Sequence, residues 1–379
     1  MGIEKLFSDI SSYIWGFPLI ILLIGGGLYL IIYSRFLPFK YFFHAIDIVR
    51  GKYDNSNDEG EISHFAALST ALSATVGMGN IAGVSVAISI GGPGAIFWMW
   101  VSGIIGMSTK FFTSSLAIMY RGKDSAGNTQ GGPMYFITEG LGNKWKSLAV
   151  FFSICGLIGA LPVFNVNQLK QAINDILLIP MGYEVGLESN LLIGLLLIII
   201  TSIVILGGLK RISAVASKLV PLMVLIYMIA VIAIIIINIE ELPYYIKLIF
   251  YDAFTALNYR GDSVTGGVLG SLIVLGVRRG AFSNEAGIGM APMAHGAAKT
   301  NSPIREGLVA MLGPAIDTLF VCTLTALAIL ITGVWKGDLN GVTLTAAAFS
   351  DSLPLIGRYL LLICVIVFSI SSLFTYSYY

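Results

Sequence analysis

The chain has 379 residues, of which 56% are hydrophobic and only 11% charged, against about 25% charged residues in soluble domains. Lys and Arg total 22 against 21 Asp and Glu, a formal net charge of +1. A soluble globular enzyme, a disordered chain and a nucleic-acid binder are therefore excluded. The few charges are also spaced: residues 10–34, 62–109, 147–169, 189–209, 219–239 and 359–379 contain no Asp, Glu, Lys or Arg. A helix needs ~20 apolar residues to cross ~30 Å of hydrocarbon, so these runs define an all-α polytopic membrane protein whose solvent is the lipid bilayer.

In chain order, nine membrane helices are expected. The first, over 13–34, is a true span, because its apolar run exceeds the ~7–15 residues of a signal-peptide core and follows Glu4 and Asp9. A polar loop over 35–63 leads to a helix over 64–90, which turns at Gly91-Gly92-Pro93-Gly94 into a helix ending near 120. After a glycine-rich loop over 121–146 come helices over 147–180, 191–209 and 214–238. The loop over 239–263 carries a helix on the membrane surface. Helices over 264–297, 305–335 and 353–379 follow, with a short non-spanning helix over 342–351 between the last two. With the N-terminus outside, the cytoplasmic loops collect Arg35, Lys40, Arg50, Lys52, Arg121, Lys123, Lys144, Lys146, Lys210, Arg211, Lys218, Lys299 and Arg305. The outer side receives only Lys5, Lys247, Arg260, Lys336 and Arg358, as the positive-inside rule requires.

Two of the helices should be broken. Ser73-Ala74-Thr75-Val76-Gly77-Met78-Gly79-Asn80 lies in the 64–90 helix, and Arg279-Gly280-Ala281-Phe282-Ser283-Asn284-Glu285-Ala286-Gly287 in the 264–297 helix. Each glycine weakens a helix by about 1 kcal/mol. Unwound backbone inside a membrane survives only where it lines a cavity or is buried in protein, and one such segment in each half of a chain points to a transporter's binding site. Glycine packing between helices is the competing explanation. Five helices, an odd number, followed by the start of a second set predict an inverted repeat. The uncharged stretch ending at Tyr379 reads as the front part of a longer protein, lacking two helices of that second repeat.

These segments resemble a known family. Gly91-Gly92-Pro93-Gly94-Ala95-Ile96-Phe97-Trp98-Met99-Trp100, Gly77-Met78-Gly79-Asn80-Ile81-Ala82-Gly83, Gly131-Gly132-Pro133-Met134-Tyr135 and the Arg279–Gly287 segment are similar to signatures of the sodium:alanine/glycine symporters. The resemblance covers nearly the whole chain. It implies the leucine-transporter fold with one extra N-terminal helix. Residues 1–63 would be a peripheral span and cytoplasmic loop, 64–240 the first five-helix repeat, and 241–379 three spans of a second, inverted repeat.

The resemblance also implies the function: sodium-coupled uptake of a small neutral amino acid, alanine or glycine, across the cytoplasmic membrane, with sodium as the coupling ion and no enzymatic activity. The substrate would sit between the two breaks, contacted by Thr75, Gly77, Met78, Gly79, Asn165, Phe282, Ser283, Gly287, Ser372 and Tyr376. Backbone amides at 77–79 would receive its carboxylate, and carbonyls near Phe282, Ser283 and Gly287 its ammonium. Sodium, a hard cation, suits neutral oxygens. One site would use Ser73, Val76, Ser371 and Ser372, and a second Ala74 and Asn80. Asn167 is a further candidate for the pocket. Where the family usually has Gly-Asn-x-x-Gln-x-Asn, this chain reads Leu161-Pro162-Val163-Phe164-Asn165-Val166-Asn167, with a proline kink and one pocket amide shortened.

Charges inside spans are functional candidates by default. Glu285 is expected to pair with Arg278 or Arg279 and hold the break, or else to face the substrate amine. Asp317 and Lys110 are expected as structural partners or helix-end caps, and Lys170 and Asp175 need not meet. A proton-coupled permease, titrating at Glu285 or Asp317, is the alternative within transport; a channel, a non-transporting sensor or an inactive fragment are the others. His44, His64 and His295, scattered along the sequence near membrane edges, are expected to be solvated or capping. Cys155, Cys322 and Cys364 lie in apolar segments and are expected to serve as packing residues without a disulfide.

Overall fold

The computed structural model describes residues 3–55, 57–123, 127–262 and 267–379. Helix α1 (Ile3–Ile14) and α2 (Phe17–Tyr33) precede α3 (Phe42–Val49). The expected 64–90 helix is two helices, α4 (His64–Thr75) and α5 (Gly79–Gly91), set at 53° to each other. Ser63 starts α4 by accepting a hydrogen bond from the Ala66 amide at 3.2 Å, a side-chain cap for an otherwise orphan N–H. α6 (Gly94–Met119) follows at once.

The Gly-Gly-Pro-Gly turn between α5 and α6 has a structural reason. Gly92 has φ +67°, which favours glycine. The backbone of α11 (Leu242–Thr255) passes so close that a Cβ on Gly94 would stand 2.7 Å from the Ala253 nitrogen. Buried Asp252 of α11 accepts from the Gly94 amide at 2.9 Å and from the Asn258 amide at 3.0 Å. The helix expected within the 239–263 loop is therefore α11, and it clamps the turn.

The 147–180 helix is also interrupted. α7 (Lys146–Gly159) stops before Pro162, and α8 (Val163–Ile173) resumes after it. α9 (Leu187–Ile205) and α10 (Gly208–Ile237) come next. The expected 264–297 helix begins in residues outside the described set. Within it, α12 (Gly267–Asn284) ends at the break and α13 (Ala291–Gly296) is one short piece beyond. α14 (Pro303–Ile331), the short α15 (Gly341–Ser352) and α16 (Gly357–Tyr378) complete the described chain.

Among the described residues, six helices are long and apolar enough to cross a membrane, seven if the bent pair α4–α5 counts as one. That is fewer than the nine expected. α2 is a shorter apolar helix, and α12 has 18 residues that include Arg278 and Arg279. Three spans form the centre: 61% of the apolar stretch is buried in each of α6, α14 and α16. By contrast only 6% of the Asn143–Leu178 stretch and 11% of α9 are buried. α9 presents exposed Leu191, Leu192, Leu195, Leu196, Ile198 and Ile199, a belt that water would not tolerate and hydrocarbon would.

α6 and α12 meet through backbone. A Cβ on Gly276 would lie 2.6 Å from the Ala95 carbonyl oxygen, and one on Gly280 would lie 3.0 Å from that of Met99. Two glycines four residues apart make a smooth helix face, the small-xxx-small contact of membrane packing. The glycine-packing explanation thus holds for Gly276 and Gly280, which lie in α12 before its break.

Candidate functional site: a pocket between two broken spans

The ends of α4, α5 and α12 enclose a cavity of about 100 Å³, lined in part by Thr75, Gly77, Met78, Gly79, Asn165, Phe282, Ser283, Glu285 and Tyr376. This is well below the ~300–1,000 Å³ of pockets for drug-sized ligands, so only a small molecule fits. Of the residues expected around a substrate, all but Gly287 and Ser372 line it. Gly287 is exposed on the far side of the break, where a Cβ would meet the Leu23 side chain of α2. Ser372 stands one layer behind, its Oγ 2.7 Å from where a Cβ on Gly77 would project. Asn167 is exposed on α8 and does not line the cavity, whereas Asn165 is buried and does.

The pocket's chemistry comes from its backbone. α5 opens at Gly79, and the first amides of a helix have no partner within it, so Met78 and Gly79 can present N–H groups and the positive helix end to an anion. The Gly77 amide is already used: it donates to Asn80 Oδ1 at 2.9 Å. Thr75 Oγ1 is buried without a hydrogen-bond partner. Phe164 and Phe282 meet edge to face, centroids 5.4 Å apart at 89°, forming an aromatic wall. Phe164, Leu161 and Pro162 line the same cavity. No pocket role was expected for these three, although the departure of their segment from the family pattern was visible in the sequence.

Behind the pocket, α4 meets α16. Ser73 Oγ donates to the Ser371 carbonyl at 2.7 Å, and Ser372 Oγ reaches the Ala74 carbonyl at 3.3 Å. Both Ser371 and Ser372 can instead donate back to the Phe368 carbonyl, at 2.9 and 3.0 Å. Turned that way, the hydroxyl lone pairs face the Ser73 and Ala74 carbonyls, a set of neutral oxygens that suits a hard monovalent cation.

A buried polar network holds the two breaks together. Asp317, in a widened turn of α14, accepts from Asn80 Nδ2 at 2.6 Å, from Ser283 Oγ at 2.8 Å and from Thr318 Oγ1 at 2.8 Å. Asn284 Nδ2 donates to Thr318 Oγ1 at 3.1 Å. Cys322 Sγ lies 3.2 Å from Ser283 Oγ. Asp317 is therefore a hub joining side chains from three elements, not a helix-end cap. Lys110 is buried, and among the described residues no carboxylate lies within 4.0 Å of it.

Two expectations are corrected. Glu285 does not pair with Arg278 or Arg279; its Oε1 accepts from the Tyr376 hydroxyl. Arg278 lies over the Trp15 ring at 5.5 Å, and Arg279 Nε is buried without a partner. His64 and His295 are not solvated. Both are buried, and their Nδ1 atoms meet the two oxygens of buried Glu306, at 2.5 Å for His295. With Glu306 ionised, both rings would donate to it from Nδ1. Nearby Arg121 donates to the carbonyls of Gly296, Thr300, Ala298 and Glu59. Among the described residues no group of three His, Cys, Asp or Glu could hold a metal ion.

The described residues form a helical protein with several helices apolar enough to cross a membrane and a small pocket between its broken helices. The chain belongs to the sodium:alanine symporter family, whose family model matches residues 1–379, and is by that membership a transporter and not an enzyme. It is similar to the sodium/alanine symporter AgcS of Methanococcus maripaludis, 40% identical over all of this chain and 82% of that protein. An uncharacterized transporter of Haemophilus influenzae is 40% identical over all of this chain and 81% of that one. The amino-acid carrier protein AlsT of Bacillus subtilis is 35% identical over 97% of this chain and 75% of that one.

Proposed function

We propose that this protein is a secondary active transporter that couples inward sodium flow to the uptake of a small neutral amino acid, alanine or glycine, across the cytoplasmic membrane. The observation that carries this reading is the cavity of about 100 Å³ between the two broken spans, set directly against the carbonyls and hydroxyls shared by α4 and α16. Substrate and ion would thus be neighbours, which coupling requires. The substrate carboxylate lies at the Met78 and Gly79 amides, and its ammonium toward the carbonyls near Phe282 and Ser283. Sodium takes the Ser73 and Val76 carbonyls with the Ser371 and Ser372 hydroxyls. A second ion at Ala74 and Asn80 would need Asn80 Oδ1 to release the Gly77 amide that it now accepts from.

The same reading includes a leucine-transporter-like arrangement, with 64–240 as one repeat and 241–379 as part of its inverted mate, and an N-terminus on the outer side. The name of the Methanococcus maripaludis relative, a sodium/alanine symporter, supports the ion and the substrate. The test is uptake into liposomes. An imposed sodium gradient should drive alanine accumulation, and a pH gradient alone should not. Accumulation driven by the pH gradient without sodium overturns sodium coupling in favour of proton coupling. Binding without flux makes the protein a sensor, and currents not limited by turnover make it a channel.

A further inference from the structure

The chain entering α4 and the chain leaving α13 run side by side. Residues 59–62 and 297–300 make a short parallel ladder, bridged at Ile62 and Ala298. The Glu61 amide donates to the Ala297 carbonyl at 2.8 Å, and the Lys299 amide to that of Ile62 at 2.6 Å. The Thr300 amide donates to the Glu59 carbonyl at 3.0 Å. At the outer end Asn301 Nδ2 donates to Asp58 Oδ1 at 3.1 Å. Gly60 has φ +130°, and a Cβ there would overlap the Ala298 carbonyl, so glycine is what lets the two strands lie this close.

One side chain fastens both strands. Arg121 stands two residues past the end of α6. Its Nε donates to the Gly296 carbonyl at 2.8 Å, and its Nη1 to those of Thr300 at 2.9 Å and Glu59 at 3.1 Å. Nη2 donates to the Ala298 carbonyl. Four of the five guanidinium donors are thus spent on main chain, three on the chain leaving α13 and one on the chain entering α4. Hydrogen bonds from a charged donor are roughly twice as strong as neutral ones, and an ammonium has no such planar fork.

The ladder lies at one end of two helices whose other ends reach the cavity. Ala74 and Thr75, at the end of α4, line it. α13 follows Met290, whose Cε is 3.4 Å from where a Cβ on the cavity residue Gly159 would project. Between cavity and ladder, α4 and α13 meet through Ala71, Ala291 and Ala294, which are buried together. Three methyl groups make a thin seal, and the ladder with its arginine holds that seal shut.

We propose that Arg121 is the bolt of a latch that closes the cavity toward the membrane face at which α4 begins. Opening to that face then requires the guanidinium to release the Glu59 carbonyl, so that α4 and α13 can part. This rests on the cavity being the transporter's binding pocket. Arg121 touches no substrate; it is a positioning residue that acts through α4 and α13.

The test is labelling of purified protein with N-ethylmaleimide, read at each cysteine by peptide mass spectrometry. Cys155→Ser removes the exposed thiol, and Ala71→Cys puts a reporter into the seal. Native Cys364, buried in α16 about two turns before Ser372, reports global unfolding. Adding Arg121→Gln should speed labelling at position 71 by about tenfold or more, the worth of one hydrogen bond to a charged group, with Cys364 unchanged. Arg121→Lys, which keeps the charge but not the fork, should speed it to a smaller degree. Hydrogen exchange at the amides of Glu61, Lys299 and Thr300 should quicken in parallel, and serves alone should Ala71→Cys not fold. Wild-type rates of labelling and exchange in Arg121→Gln, or a rise at position 71 matched at Cys364, overturn the latch. Wild-type protein that binds no amino acid removes the pocket reading on which the latch rests, an outcome distinct from the others.

Discussion

Asn80 and Asp317, 237 residues apart in sequence, meet at 2.6 Å, with the amide donating to Oδ1 of the carboxylate. Ser283 donates to Oδ2 of the same group at 2.8 Å. Asn80 lies just past the break between α4 and α5, and Ser283 just before the one that ends α12. One carboxylate on α14 therefore fixes the separation of the two segments that frame the cavity.

Removing that carboxylate should be costly. Asp317→Ala removes the carboxylate that accepts from Asn80, Ser283 and Thr318, at about 1–3 kcal/mol for each donor left unpaired, although Asn80 Nδ2 keeps the backbone carbonyl of residue 317 at 3.2 Å and Ser283 Oγ keeps Cys322 Sγ at 3.2 Å. The expected result is a melting temperature in detergent well below wild type, together with lost amino-acid binding in any folded fraction. Wild-type melting and binding in Asp317→Ala would show that the network is dispensable.

Gly79 is a second point of leverage. A Cβ there would stand 3.4 Å from Ser283 Cα, so alanine would just fit and a longer side chain would enter the cavity. Gly79→Leu should insert and remain monodisperse while amino-acid binding is abolished. Unchanged affinity in a titration would remove the start of α5 from the site.

The ion is tested on α16. Ser371→Ala combined with Ser372→Ala should raise the sodium concentration for half-maximal binding by about tenfold or more, since two hydroxyl ligands disappear from a shell of neutral oxygens. Substrate affinity at saturating sodium should fall less. Untouched sodium dependence would place the ion elsewhere.

Glu306 supports the fold at a distance from the pocket. Glu306→Ala deprives buried His64 and His295 of their shared partner, and each buried polar group left unpaired costs about 1–3 kcal/mol. Thermal stability should drop sharply, while Glu306→Gln, which keeps one acceptor oxygen, should drop less. Alanine affinity in the folded fraction should stay within about threefold of wild type. Equal stability of all three proteins would show the cluster to be idle.

Sequence reading reached most of the long apolar helices and the two breaks because both are local, although fewer helices are long enough to span than the nine expected. Uncharged runs declare helices by length, and glycine beside Ser, Asn and Glu declares unwinding by composition. It failed where partners lie far apart along the chain. Glu285 has arginines six and seven positions before it, and sequence proximity suggested an ion pair. The left-handed backbone at 285 turns its side chain to Tyr376 instead, 91 positions away. His64 and His295 looked isolated for the same reason: Glu306, their common partner, is 242 residues from the first. The smooth face of α12 was foreseen only as an alternative to the break, although the same helix has both.

The seam between α6 and α12 bears on how the molecule can move. At Gly276 and Gly280 the main chain of α12 rests on the Ala95 and Met99 carbonyls and on the first side-chain carbons of Trp98 and Ser102. So close a joint leaves little room for slip, and tilt applied to one rod is passed to the other. Any rocking of the segment that leads into the Phe282–Glu285 break must carry α6 with it. The flexing is then left to the places where helical hydrogen bonding is already interrupted.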